Sequence, residues 1–156
     1  MRRGSRRSRS AQRQETTHDY EENARVADAN QIIQAGIARA NQIQTPSTFT
    51  VVDVGGTVIA QARMDGARLA SAELAYNKAY TALSCQLATS VIATIAQPGG
   101  EFYGIANGLS GRAIIFPGGV PIVVDGQVVG AVGASGGTGV QDEDVARAAA
   151  AAISGN

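Results

Sequence analysis

Asp125-Gly126 sits between two apolar runs, Pro121–Val124 and Val128–Ala134, and this arrangement limits what the chain can fold into more than any other stretch. Aspartate followed by glycine accepts the positive φ angles of a two-residue hairpin turn, so the flanking runs are predicted to be paired antiparallel strands. Ser135-Gly136-Gly137 follows, a backbone that can bend sharply. Thr138 with Gln141 three residues later reads as a capping box. The acids Asp142-Glu143-Asp144 suit the positive end of the small-residue helix that they open.

Upstream, Val26, Ala29, Ile33, Ile37 and Ala40, with Ile32 and Ile43 alongside, recur at steps of three and four and predict a helix with one buried stripe. Thr45-Pro46-Ser47 ends it, because proline disfavours helix at the residue before it. Phe49–Val54 and Val58–Met64 are rich in β-branched residues and flank Gly55-Gly56, a second hairpin signal. Ser71 to about Ile95 reads as one long helical region, broken by Gln97-Pro98-Gly99-Gly100. Glu101–Gly111 reads as loop with a short helical turn, and Ala113–Phe116 as a short strand ended by Pro117-Gly118-Gly119. The expected fold is therefore α/β of the α+β kind: one five-stranded, largely antiparallel sheet with helices on both faces.

The net charge of zero hides a segregation. Six arginines (Arg2, Arg3, Arg6, Arg7, Arg9, Arg13) occupy the first thirteen residues, which leaves seven basic against 13 acidic residues, a net −6, for the rest. Residues 1–20 are expected to be a disordered Arg-rich arm, and residues 21–156 the folded domain. No aromatic is interleaved with the arginines, so base stacking has no support and a nucleic-acid partner is not expected. No hydrophobic segment follows the arginine pairs, which argues against a twin-arginine export signal. No stretch approaches the roughly 18 consecutive apolar residues of a membrane span. A single cysteine, Cys85, fits a reducing cytoplasm.

The residues exclude several chemistries. His18 is the only histidine, so one His and one Cys cannot build the usual zinc site. A Ser-His-Asp triad would need His18 to reach the core from the arm. The glycine runs lack the Gly-Lys-Ser/Thr ending of a phosphate loop. Three features remain. Arg63-Met64-Asp65-Gly66 puts a cation and an anion at the end of the first hairpin, although Asp65-Gly66 also serves as a plain turn. Lys78, the sole lysine, lies among alanines, where it either snorkels to water or pairs with an acidic ligand or side chain. Phe116-Pro117-Gly118-Gly119 offers an aromatic followed by bare backbone, a place that admits a flat ligand, although a tight turn needs the same glycines.

These segments also resemble a known family. Val51-Val52-Asp53 with Gly55-Gly56, Met64-Asp65-Gly66-Ala67, and Lys78-Ala79 with Thr81-Ala82 look like the front half of a GlcG/HbpS-like domain. Gly118-Gly119-Val120-Pro121, Gly130-Ala131-Val132-Gly133 with Ser135-Gly136-Gly137, and Gln141-Asp142 look like its back half. The same family includes the C-terminal domain of PduO-type corrinoid adenosyltransferases. The resemblance implies a profilin-like domain, a homo-oligomer of even order that is often an octamer, and binding of haem or a corrinoid, with haem degradation in some members. The matching site positions are Asp65, Lys78, Gly118, Gly119 and Ser135, with Lys78 neutralising a ligand carboxylate and Gly118-Gly119 offering backbone N–H groups. Two departures stand out. Gln97–Leu109 is unusually glycine-rich and polar, and with one histidine the iron would fall to the arm, to Tyr76, Tyr80 or Tyr103, to Thr81 or to Met64.

The expected function is that of a small cytoplasmic, oligomeric binding protein for haem or a related tetrapyrrole. Its ligand-binding residues would be Lys78, Arg63, Asp65, Phe116, Gly118, Gly119 and Ser135. The competing expectation is an enzyme or accessory protein in the catabolism of a small carboxylate or carbonyl compound, using Lys78 for charge or imine chemistry. A third is a structural partner that docks through its arginine arm. Whether any reaction is catalysed stays open at this level.

Overall fold

Asp125 and Gly126 both take positive φ, 50° and 78°, and join two antiparallel strands as their sequence requires. The structure, a computed structural model, describes residues 23–154, and the Arg-rich arm with His18 lies outside them. In chain order the elements are α1 (Val26–Gln42), β1 (Thr48–Asp53), β2 (Val58–Arg63), α2 (Ala70–Cys85), α3 (Thr89–Ile95), β3 (Gly119–Val124), β4 (Gln127–Ser135) and α4 (Gly139–Ala150). Two short 3-10 turns, Ile105–Asn107 and Leu109–Gly111, lie between α3 and β3.

The strands form one sheet in the order β2-β1-β4-β3, with every neighbouring pair antiparallel. Among the described residues it has four strands where the sequence suggests five. Ala113–Phe116 is not a strand: the Ile114 N–H donates to the Thr81 hydroxyl of α2 rather than to a neighbouring strand. Pro117 and Gly118, the latter at φ 122°, then turn the chain so that β3 begins only at Gly119. Pro121 lies in β3, an edge strand, where its missing N–H removes no essential ladder bond. The helical region predicted from Ser71 to Ile95 is two helices. Gln86 caps α2 in the left-handed region at φ 51°, and the extended Ala88 starts α3.

The two sheet faces bury different material because alternate strand residues point opposite ways. Phe49, Val51, Val132 and Ala134 meet α1 and α4 in the main core, with Ile32, Ile33, Val145 and Ala149. The Phe49 ring lies against bare Gly36 of α1. The α1 stripe is buried as predicted at Ala29, Ile32, Ile33 and Ala40, while Val26 at its start is exposed. On the other face α2 packs against Val52 and Ala131 through Ala79 and Ala82. Gly133 lets the Ala75 carbonyl of α2 approach the sheet so closely that no Cβ fits between them. Among the described residues no helix is long and apolar enough to cross a membrane.

The Thr138–Gln141 capping box forms in both directions, at 3.3 and 2.9 Å. The three acids that follow it tie α4 to three other parts of the chain. Asp142 reaches Lys78 of α2, Glu143 accepts from Ser90 of α3, and Asp144 takes Arg39 of α1 at 2.8 Å.

Candidate functional site

Lys78 has no solvent exposure, which rules out snorkelling. Its Nζ donates to Asp142 Oδ2 at 2.6 Å and to the Ala134 carbonyl at 3.0 Å. The Phe116 ring centroid stands 5.1 Å from the same nitrogen, within cation–π range. Burial pulls the Lys78 pKa below its ordinary 10.5, opposed by the hydrogen bond and charge of Asp142 and the charge of Glu143. The other oxygen of Asp142 accepts the N–H groups of Gly136 and Gly137 at 3.0 and 2.9 Å. The Ser135-Gly136-Gly137 bend thus wraps a carboxylate supplied by the helix it introduces.

Gly118 and Gly119 serve this arrangement by being small. A Cβ on Gly118 would stand 2.7 Å from Lys78 Nζ, and one on Gly119 would press into the Lys78 carbonyl. Their N–H groups, expected to face a ligand, donate instead to Glu143 Oε2 at 3.3 Å and Thr89 Oγ1 at 2.9 Å.

Beside the ion pair lies a groove of about 180 Å³, walled by Arg68, Leu74, Phe116, Ser135, Gly139 and Asp142, with Ala70, Ser71, Gly136 and Gly137 completing it. Of the residues singled out from sequence, Phe116 and Ser135 open onto this groove, and Lys78 lies behind it, held by Asp142 and covered by Phe116. Phe116 is 42% exposed. Arg63 at the end of β2 and Asp65 just after it are exposed and do not line the groove. Sequence reasoning missed Arg68, Ser71 and Leu74, and it read Asp142 only as a helix-terminal acid. The Gln141-Asp142 pair within the family pattern was the one signal that pointed to Asp142.

Two hydroxyls beside the groove are already engaged. Thr48 Oγ1 and Ser71 Oγ are 2.6 Å apart, and Ser71 Oγ also donates to the Arg68 carbonyl. A second hollow, about 200 Å³ and more open, lies by the first hairpin turn against Tyr80 and Leu83. Near it the Arg112 guanidinium stacks 3.7 Å over the Tyr80 ring and donates to the Tyr76 hydroxyl.

The described residues suit a flat, acid-bearing ring better than its metal. Leu74 and Phe116 supply apolar walls and Arg68 a cation. None of the described side chains considered for iron lines the groove, and His18 lies outside the described residues. Thr81 is occupied by Asn77 and Ile114, Tyr76 by Arg112, and Met64 Sδ accepts the Ser47 N–H. Tyr103 is exposed.

The model of the family described as "Haem degrading protein HbpS-like" matches residues 25–151. The chain is 40% identical over 126 residues to the corrinoid adenosyltransferase PduO of Salmonella typhimurium, covering 81% of this chain but only 38% of that protein. It is 42% identical over 124 residues to an uncharacterized 15.0 kDa protein in the dhaT-dhaS intergenic region of Citrobacter freundii, covering 80% of this chain and 87% of that one. A crystal structure of a PduOC:heme complex superposes with a TM-score of 0.80 at 39% identity, covering 84% of this chain and 95% of that one. A family match that runs nearly the whole described length, together with relatives at this level of identity, makes the chain a member of the HbpS-like haem degrading protein family.

Proposed function

We propose that the protein binds haem or a related tetrapyrrole, with the groove between α2, the end of β4 and the start of α4 receiving one edge of the ring. The observation that carries this reading is a groove with apolar walls and a cation in a chain 39% identical to PduOC, a protein solved with heme. Its volume of about 180 Å³ is below the about 300–1,000 Å³ of an enclosed small-molecule pocket, so only an edge of the ring enters. The rest lies over the surface beyond Arg68 and Gly139, whose chain neighbours Leu69 and Val140 are 82% and 80% exposed. Other exposed apolar side chains, among them Val26, Val58 and Val91, support assembly into a homo-oligomer of even order, an octamer by analogy with the family, in the cytoplasm. We read the fold as profilin-like and the arm of residues 1–20 as an appendage to it.

Titrating the full chain with hemin tests the reading. A saturable Soret shift that weakens in Phe116→Ala is expected, and a wild-type chain that gives no saturable shift overturns it. Light scattering tests the assembly, and the mass of a single chain across micromolar concentrations overturns it.

A second reading, the handling of a small carboxylate or carbonyl compound, is favoured by the small size of the groove. In that case Lys78, fixed by Asp142, contributes charge rather than a free amine for imine chemistry.

A further inference from the structure

Ser135 is 5% exposed, and its hydroxyl makes no hydrogen bond to any described residue. Every side-chain nitrogen and oxygen shut off from solvent among the described residues has a partner, so an unpartnered Ser135 oxygen is one that solvent reaches. The Ser135 oxygen escapes that set only by opening onto the groove. Its register neighbour across the sheet, Thr48, shares the face toward α2 and is satisfied by Ser71. The hydroxyl is therefore free to take a partner that enters the groove.

The charges around the groove select that partner. Asp142 and Lys78 neutralise each other, and the N–H groups of Gly136 and Gly137 are spent on Asp142. Arg68 is exposed and forms no salt bridge with any described residue. The groove therefore carries one uncompensated cation, one free hydroxyl donor and two apolar side chains, Leu74 and Phe116. We propose that it is a carboxylate subsite: the Arg68 guanidinium pairs with the carboxylate, the Ser135 hydroxyl donates to one of its oxygens, and Leu74 and Phe116 pack on the carbon stem. A tetrapyrrole propionate and a free short-chain carboxylate share this chemistry. The first source rests on the haem reading above and the second does not.

The test uses the full chain, Ser135→Ala and Arg68→Gln. Each is titrated with hemin and hemin dimethyl ester by absorbance, and with acetate and pyruvate by calorimetry, and unfolding curves establish that both variants are folded. Loss of a hydrogen bond to a charged group is expected to weaken hemin binding by about 10- to 100-fold in each variant. The ester should bind the wild type weakly and bind the variants no worse, which supports the subsite with a propionate as its source. If the variants bind hemin as tightly as the wild type, the subsite is overturned and the haem reading stands. If the variants lose hemin affinity but the ester binds the wild type as well as hemin does, the two residues touch something other than a carboxylate and the subsite is again overturned. If the wild type ignores hemin yet binds acetate or pyruvate, and both variants lose that binding, the subsite stands and the haem reading falls. If the wild type binds none of the four probes, both fall.

Discussion

Lys78 Nζ stands 2.6 Å from Asp142 Oδ2, across 64 positions of sequence, and neither side chain is more than 5% exposed. This pair joins the centre of α2 to the first turn of α4 over the end of β4, so it connects helices on opposite faces of the sheet. Removing one member of a buried pair leaves the other charge without compensation. Lys78→Ala is therefore expected to cost about 3–5 kcal/mol in urea unfolding. Lys78→Met with Asp142→Asn should recover much of that, since asparagine keeps an acceptor for the two glycine N–H groups. A cost below about 1 kcal/mol for Lys78→Ala would place the pair among ordinary surface contacts.

The same pair sets a pH dependence. The folded-state pKa of Lys78 is lowered by burial, so between that value and the ordinary 10.5 the unfolded chain holds the proton more tightly than the folded one. Stability then rises with pH through this window, and below it the penalty for burying the charge is present in full. Compared with the Lys78→Met, Asp142→Asn double variant, the wild type should gain stability as pH rises from neutral toward 10.5. A relative loss over that interval would contradict the assigned direction.

The hydroxyls of Thr48 and Ser135 face the same side of the sheet but should respond differently to removal. Thr48→Val takes a partner from Ser71 and is expected to cost about 1 kcal/mol or more. Ser135→Ala removes a group with no described partner and should change stability by less than about 0.5 kcal/mol. Thermal unfolding of both variants checks the contrast, and an equal loss in the two would show that Ser135 is held within the protein.

Gly133→Ala probes the contact between α2 and the sheet. The new methyl would overlap the Ala75 carbonyl and stand 2.7 Å from the Ala79 nitrogen, both backbone atoms that cannot swing aside. A loss of about 3 kcal/mol, the upper end for overpacking, is expected in urea unfolding. A neutral result would mean that α2 can lift from β4 freely.

Removing residues 1–14 takes away six arginines and no apolar run. The expected change in unfolding free energy is under about 1 kcal/mol, in line with surface changes. A large fall in melting temperature would show that the arm packs onto the net-acidic remainder of the chain or across an interface.

Features governed by local rules were legible in the sequence. Asp125-Gly126 and Gly55-Gly56 place both hairpins, Thr138 and Gln141 cap α4, and the steps of three and four from Ala29 to Ala40 mark the buried side of α1. Each depends on residues a few positions apart, through a turn's φ angles, a cap or a helical period. Lys78 stands out as the sole lysine among alanines, and the family pattern adds Ser135 to the candidates. Where the outcome turned on distant neighbours, tertiary structure decided. Ala113–Phe116 has the composition of a strand, but Thr81 takes the Ile114 N–H and the sheet closes at four strands. The acid nearest Lys78 in sequence, Glu73, is five positions away and outside the i±3 and i±4 spacings of a helical pair. Only the packing of α4 over the end of β4 supplies Asp142 and excludes the water Lys78 would otherwise reach. Arg68 and Ser135 face one groove for the same reason: chain separation says nothing about which side chains a sheet and its two covering layers bring together, and packing fixes that.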